Sequence, residues 1–190
     1  MTARNTDTRD EIVKIGTQLI KSHGYNAFSY ADISEKLQIK NAAVHYHFRG
    51  KEDLLSEIID QYIYQYKLLQ QQLQQLNVSA TKAMEKFIER YSVLVDCNSI
   101  CIIGSIASDY NTLPESVKEK VQELVRMVLK MVEQTLASGK KSGEFGFSGS
   151  PKTQSLLVMT NLAAGVQLAR ITGKKEYETI KRAIIRQLKG

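Results

Sequence analysis

The stretch SYADISEKLQIKNAAVHYHFRGK, residues 29–51, decides how this chain folds. Ser29 followed three residues later by Asp32 is a capping-box-like pair, in which short polar side chains satisfy the free N–H groups at a helix start. Ile33 and Leu37 lie four apart and so share one helix face. Gln38 to Asn41 reads as a short break. Ala42 to Phe48 reads as a third helix, with Val44 and Phe48 again four apart. Arg49-Gly50 breaks the chain once more, and Lys51 or Glu52 opens a long fourth helix. Two short helices joined by a tight break, held together by Ile33, Leu37, Ile39, Val44 and Phe48, make a helix-turn-helix pattern. In that pattern the second helix enters the major groove of DNA and the first crosses the backbone.

The pattern leaves Lys40, Asn41, Ala42, Ala43, His45, Tyr46 and His47 to face outward. Lys40 and Lys51 can pair with phosphates, which position a protein without reading sequence. Asn41 and His45 can hydrogen-bond base edges or phosphates, and alanine methyls can meet a thymine methyl. Tyr46 adds a hydroxyl and a flat ring. Ser29 and Tyr30, at the start of the first helix of the pair, complete the expected DNA-facing set. Residues 38–51 carry Lys40, Arg49 and Lys51 and no acid.

Working outward, Met1 to Thr6 reads as a loose arm, with Asp7 or Thr8 capping a first helix. Ile12, Ile15, Gly16, Leu19 and Ile20 form its apolar stripe, and Gly24 ends it. The fourth helix carries Leu54, Leu55, Ile58, Ile59, Tyr62, Tyr66, Leu69, Leu73 and Leu76. Asn77 to Ala80 is a turn. A helix over residues 80–96 follows, then a short apolar helix or loop over 100–108. Pro114 suits the first position of a helix running to about Ser138. Gly139 to Gly149 reads as a loop. Ser150-Pro151 opens a helix to Thr172, and a last helix spans 174–188 with a stripe at Tyr177, Ile180, Ile184 and Leu188. The fold class is all-α, with an N-terminal three-helix domain, residues 1–50, and a larger helical domain, residues 51–190.

Composition narrows the function classes. The chain has 190 residues and a net charge of +6, but the charge is uneven. Residues 1–60 hold 8 Lys/Arg against 9 Asp/Glu, whereas residues 139–190 hold 10 against 3. The excess therefore lies far from the helix-turn-helix, and global charge is not the argument for DNA binding. Cys97 and Cys101 are too few for a disulfide scaffold, so a reducing, cytoplasmic setting is expected. The polar start, Met1 to Asp10, is unlike a secretory leader. No apolar run reaches the roughly 18 residues that span a bilayer, so no membrane partner is expected. There is no nucleophile–base–acid set, no phosphate-cradling glycine loop and no metal signature, so neither an enzyme nor a cofactor is expected.

With these residues in place, Gly24 through Leu55 resembles the DNA-binding domain of the TetR family of ligand-responsive repressors. The match includes Gly24, Phe28, Ser29, Asp32, Ile33, the run Val44-His45-Tyr46-His47-Phe48, and Lys51-Glu52-Asp53-Leu54. Gln38 and Ala42 stand where the family often has glycine, and His45 replaces a common phosphate-contacting tyrosine. The resemblance implies a repressor that binds palindromic double-stranded operator DNA as a homodimer. Its later helices would bind a small-molecule effector that releases the DNA, and its last two helices would pair with their copies. Independent support comes from residues 156–171, whose apolar side chains cover nearly all sides of one helix and demand burial all round.

The effector site is expected among the middle helices, lined by Phe87, Tyr91, Cys101, Tyr110, Met127 and Met131, since Met and aromatic groups suit adaptable apolar pockets. The absence of a charged cluster there points to an apolar or aromatic effector. Cys97 and Cys101, four apart, would share a face on a continuous helix. They read as inert, with an electrophile or redox sensor as the alternative; the alternative for the whole chain, suggested by Gln38 and His45, is a small-molecule or thiol sensor of the same fold with altered or lost DNA binding. Asp96 alone cannot complete a metal shell. His45 and His47, two apart, lie on different helix faces and do not form a metal pair.

Overall fold

The computed structural model describes residues 3–190, with side chains from Asp7 onward. Among the described residues the elements are α1 (Ala3–His23), α2 (Tyr30–Leu37), α3 (Asn41–His47), α4 (Lys51–Gln75), α5 (Ala80–Asp96), α6 (Ile102–Ala107), a 3₁₀ turn (Tyr110–Thr112), α7 (Glu115–Ser142), α8 (Pro151–Thr172) and α9 (Lys174–Lys189). These form two compact units, one of Met1–Tyr64 with Ile102–Leu124, the other of Gln65–Cys101 with Val125–Gly190.

In the first unit α1 packs on α2, α3 and α6. Its core gathers Ile12, Val13, Leu19 and Ile20 from α1, Ile33 from α2, Val44 from α3, and Leu54, Leu55, Ile58 and Ile59 from α4, all buried. Each such side chain contributes about 1.5–3 kcal/mol by leaving water. Gly16 permits the close approach of α1 and α4, since a Cβ there would stand 2.9 Å from Leu54 Cδ2. Arg9 adds an ion pair with Glu57 at 2.6 Å, and its guanidinium lies 5.0 Å over the Phe48 ring. That hydrogen bond holds the Glu57 carboxyl below its ordinary range.

In the second unit α5, α8 and α9 pack together around a fully buried Tyr177. Its hydroxyl lies 3.3 Å from both Ser92 Oγ and the Ile88 carbonyl, and burial pushes it up to about 12. Gly165 lets α8 approach α9, with Ile180 Cδ1 3.2 Å from where a Cβ would be. Ser150 caps α8 by accepting from the Thr153 N–H at 3.0 Å.

Several boundaries differ from the sequence expectation. Residues 3–6 are helical rather than a loose arm, so Asp7 and Thr8 lie inside α1 and not at its start; Met1 and Thr2 fall outside the described residues. Leu76 is exposed and Tyr62, Leu69 and Leu73 are half-buried, because the α4 stripe drifts; Ile63 is buried in their stead. α7 continues through Gly139 to Ser142, and Pro114 stands one residue before it, its carbonyl accepting from Val117 and Lys118. Gly139 is tolerated in the helix because Phe145 folds back onto it; a Cβ there would lie 2.2 Å from Phe145 Cδ2.

The 143–149 loop also does more than connect. Glu144 accepts the backbone N–H groups of Ala80 at 3.1 Å and Thr81 at 2.9 Å, capping α5 from a distant stretch of chain. These bonds lower its carboxyl to about 2. Because the folded value is depressed, this cap is present above the ordinary carboxylate range and is lost as pH falls through about 2. The amide protons of Ala80 and Thr81 are therefore expected to exchange faster in acid than those of mid-α5; equal acid sensitivity would contradict the cap.

Candidate nucleic-acid interface

The reading head is built from α2, a three-residue turn and α3. At the α2 start, Asp32 accepts from the Ser29 N–H at 2.6 Å and from its hydroxyl at 2.8 Å. The backbone bond is the main reason the Asp32 carboxyl is held below its usual range. At the α2 end, Gln38 adopts the left-handed conformation, φ 54 and ψ 40. Its N–H bonds the Glu35 carbonyl at 3.2 Å, and the Ile39 N–H bonds Ser34 at 3.0 Å. The turn thus attains the glycine geometry without glycine, at a local cost of about 1–2 kcal/mol. Gln38→Gly is expected to raise stability by about 0.5–1 kcal/mol, once the greater freedom of unfolded glycine is subtracted. Urea unfolding reads this directly, and a loss of stability would show the turn to be unstrained.

Val44 is the buried residue of α3, and Phe48, its C-cap, is also buried. Leu37 and Ile39 are half-buried. This anchoring turns Lys40, Asn41, Ala42, His45 and Tyr46 to solvent, with Ala43 and His47 half-buried at the edges. Tyr46 is 75% exposed, with its ring edge-on to His47 at 5.2 Å. His45 packs its ring edge against Tyr30 at 4.8 Å. The result is one outward face that carries amide, imidazole, phenol, ammonium and methyl groups and no acid.

Three members of the expected set are placed otherwise. Tyr30 is only 6% exposed, and its hydroxyl donates to the Gly50 carbonyl at 2.5 Å. Burial raises that hydroxyl well above the ordinary phenol range. Tyr30 thus ties the turn after α3 to the start of α2. Lys51 donates from Nζ to the Phe28 carbonyl at 2.6 Å, and its ammonium lies 4.3 Å over the Phe28 ring and 4.8 Å over the Tyr25 ring. Partial burial lowers its pKa. Ser29 is exposed, but its hydroxyl is engaged by Asp32. Sequence reasoning had not assigned Arg49 to the DNA-facing set. It is exposed and lines a groove of 430 Å³ with Tyr46 and His47, a groove that Asp53, Glu57 and Asp60 also line. The acid-free run 38–51 was the signal that could have included it.

The expected effector-lining residues divide between the units. Phe87 and Tyr91 are buried neighbours on α5, ring centroids 5.5 Å apart. The Tyr91 hydroxyl meets Met159 Sδ at 3.7 Å, and burial raises it well above its ordinary range. Met131 is buried and lines a groove of 260 Å³ with Leu73, Val78, Ala83 and Gln134. Met127 and Cys101 are half-buried. Tyr110 belongs to the first unit, where its hydroxyl accepts from Gln122 at 2.7 Å. Tyr66 was expected only as part of the α4 stripe, and Arg90 and Met159 were not foreseen. Arg90 places its guanidinium 4.8 Å over the buried Tyr66 ring, so a cation does stand among these aromatic groups. Cys97 is exposed and free, and it ends α5, with Asn98 left-handed at φ 48; the two cysteines do not share a continuous helix. Among the described residues no group of three His, Cys, Asp or Glu could hold a metal, and no helix is long and apolar enough to cross a membrane.

Comparison with known proteins agrees with this geometry. Residues 12–58 match the family described as bacterial regulatory proteins of the tetR family, and residues 80–185 match the tetracyclin repressor-like C-terminal domain. No curated protein matches the chain in sequence. Among solved structures, a TetR-family transcriptional regulator from Agrobacterium tumefaciens superposes with TM-score 0.90 at 24% identity, covering 98% of this chain and all (100%) of that one. A TetR regulator from Legionella pneumophila gives 0.78 at 24% identity over 99% and 98%. FadR from Bacillus subtilis, in complex with stearoyl-CoA, gives 0.69 at 14% identity over 94% and 96%. An N-terminal helix-turn-helix followed by a C-terminal domain of this kind, matched in family and in fold, makes the chain a member of the TetR family of transcriptional regulators.

Proposed function

We propose that the protein is a cytoplasmic repressor that binds a palindromic operator as a homodimer and is released by a small, mainly apolar or aromatic effector. In this reading residues 1–50 read DNA and residues 51–190 bind the effector and the partner copy. The observation that carries it is the outward face of α3: Asn41, His45 and Tyr46 stand exposed on a helix whose opposite side is fixed by Val44. Lys40 and Arg49 supply phosphate contacts at its two ends, and Asn41 and His45 supply base contacts.

Dimerisation is supported by α8. Its inner face, Val158, Leu162, Val166 and Ala169, is buried, whereas Leu156, Leu157, Leu168 and Ile171 are exposed, Ile171 at 85%. A large apolar group this exposed is a mark of an interface rather than of a finished surface. The homodimer forms through the last two helices. The effector is read by the aromatic and methionine groups of the second unit, Phe87, Tyr91, Met127 and Met131. The stearoyl-CoA in complex with the Bacillus subtilis relative has an apolar acyl chain of that kind, joined to a charged coenzyme A group.

Selection from a random duplex pool with the full chain tests the reading. A palindromic site should emerge, with affinity falling steeply as salt rises. Asn41→Ala should change the selected sequence, with an about 1–3 kcal/mol loss at one position of each half-site. Failure of the wild-type chain to enrich any sequence would contradict the reading.

A further inference from the structure

The first unit is assembled from two separate pieces of chain. Residues 102–124 enter it after Cys101 and leave it at Val125. Three hydrogen bonds join them to one residue of the N-terminal piece, Asn26, in the connection between α1 and α2. Asp109 accepts the Asn26 backbone N–H at 3.1 Å through Oδ2 and the Asn26 side-chain amide at 2.9 Å through Oδ1. The same amide reaches Thr112 Oγ1 at 3.1 Å, and that hydroxyl donates to the Asp109 carbonyl at 2.8 Å. The carboxylate also lies against Gly24, 3.4 Å from where a Cβ would stand; that glycine has φ +100. A second bridge, Lys120 to Asp60 at 2.5 Å, ties α7 to α4.

Asn26 stands three residues before the Ser29 cap of α2. Between them, the Phe28 carbonyl is held by Lys51, on whose ammonium the Asp109 charge acts favourably. The two-point carboxylate–amide bond is directional, because both oxygens of Asp109 are matched to two N–H donors at a fixed spacing. A shift of the 102–124 segment therefore has a directional polar route to the start of α2, beside the apolar packing of α6 on α1.

We infer that Asp109 is a positioning residue for DNA reading: through Asn26 it fixes the start of α2, so that residues 102–124 set the pose in which α3 meets the groove. The inference rests on the DNA-binding reading given above. Asp109 touches no base or phosphate in this role.

The test uses the full chain and the duplex enriched by the wild-type protein. Asn26→Asp sets two carboxylates face to face and should weaken binding about tenfold, the scale of a lost charge-assisted hydrogen-bond pair. The swap N26D/D109N restores the fork, because the amide oxygen of the new side chain accepts the residue 26 N–H and its NH₂ donates to the new carboxylate. It should return affinity to within about twofold of wild type. Hydrogen exchange separates pose from stability: amides within α2 and α3 should keep wild-type protection in N26D. Unchanged affinity in N26D, or lost protection throughout α2 and α3 in step with the affinity, overturns the inference. If the wild-type chain enriches no duplex, the DNA-binding reading falls first and the positioning role with it.

Discussion

Replacing Leu157 and Ile171 together by arginine is expected to convert the dimer to monomers and to weaken operator binding by about a hundredfold or more, about 2.7 kcal/mol. Leu157, Ala164, Leu168 and Ile171 are spaced seven, four and three residues apart and so line one side of α8. All four are exposed in the single chain. The residues that hold α8 to its own subunit lie on the opposite side, so the substituted chain should fold. α8 contains no Asp or Glu, so an arginine buried against the α8 of a second copy finds no carboxylate on that helix. Burying such unpaired charges costs several kcal/mol. A monomer engages one half-site and loses the gain from linked binding. Sedimentation shows the change in mass, and fluorescence anisotropy shows the loss of affinity. A variant that stays dimeric would place the interface elsewhere.

Lys51→Ala is expected to destabilise the protein by about 2 kcal/mol. It removes a charge-assisted hydrogen bond, worth about 1.5–3 kcal/mol, and two cation–aromatic contacts of about 0.5–1 kcal/mol each at a partly exposed site. Solvent screening lowers that total. The Phe28 carbonyl would lose the Nζ–H it now accepts, next to the cap of α2. Chemical unfolding reads the loss, and Lys51→Arg should recover part of it because a cation over the rings is retained. Should the alanine variant unfold like wild type while its salt dependence drops by about one ion, Lys51 would be a phosphate ligand and not a clamp.

Lys51 also shows where sequence reading stops. The residue type and its place after Arg49-Gly50 suggested a surface cation, and nothing local indicates that it reaches back 23 residues to Phe28. Tyr30 misled in the same way, since its partner Gly50 is 20 residues on. By contrast, what depends on short-range periodicity was legible. The Ser29–Asp32 cap, the Val44–Phe48 spacing and the exposed face of α3 follow from i to i+3 or i+4 geometry, and the Ser150-Pro151 start of α8 from a cap residue beside a first-turn proline. Gln38 is intermediate: the break was readable, but its left-handed backbone was not, because the residue type normally signals against it. The Glu144 cap on α5 and the Asp109–Asn26 fork were invisible, since both join segments more than sixty residues apart. The effector-lining set was least legible: aromatic and methionine residues look alike in core and in site, and Arg90 over Tyr66 had no periodic signature.

Methylation interference on the selected duplex examines whether the outward face of α3 reads bases. Guanine N7 lies in the major groove, so blocking it should abolish binding at two clusters related by two-fold symmetry. Their centres should be about 34–36 Å apart, one helical turn, or a whole number of turns, and Asn41→Ala should erase one position from each cluster. Interference confined to the minor groove, or binding indifferent to every modified base, would contradict the assignment of α3 as the reading helix.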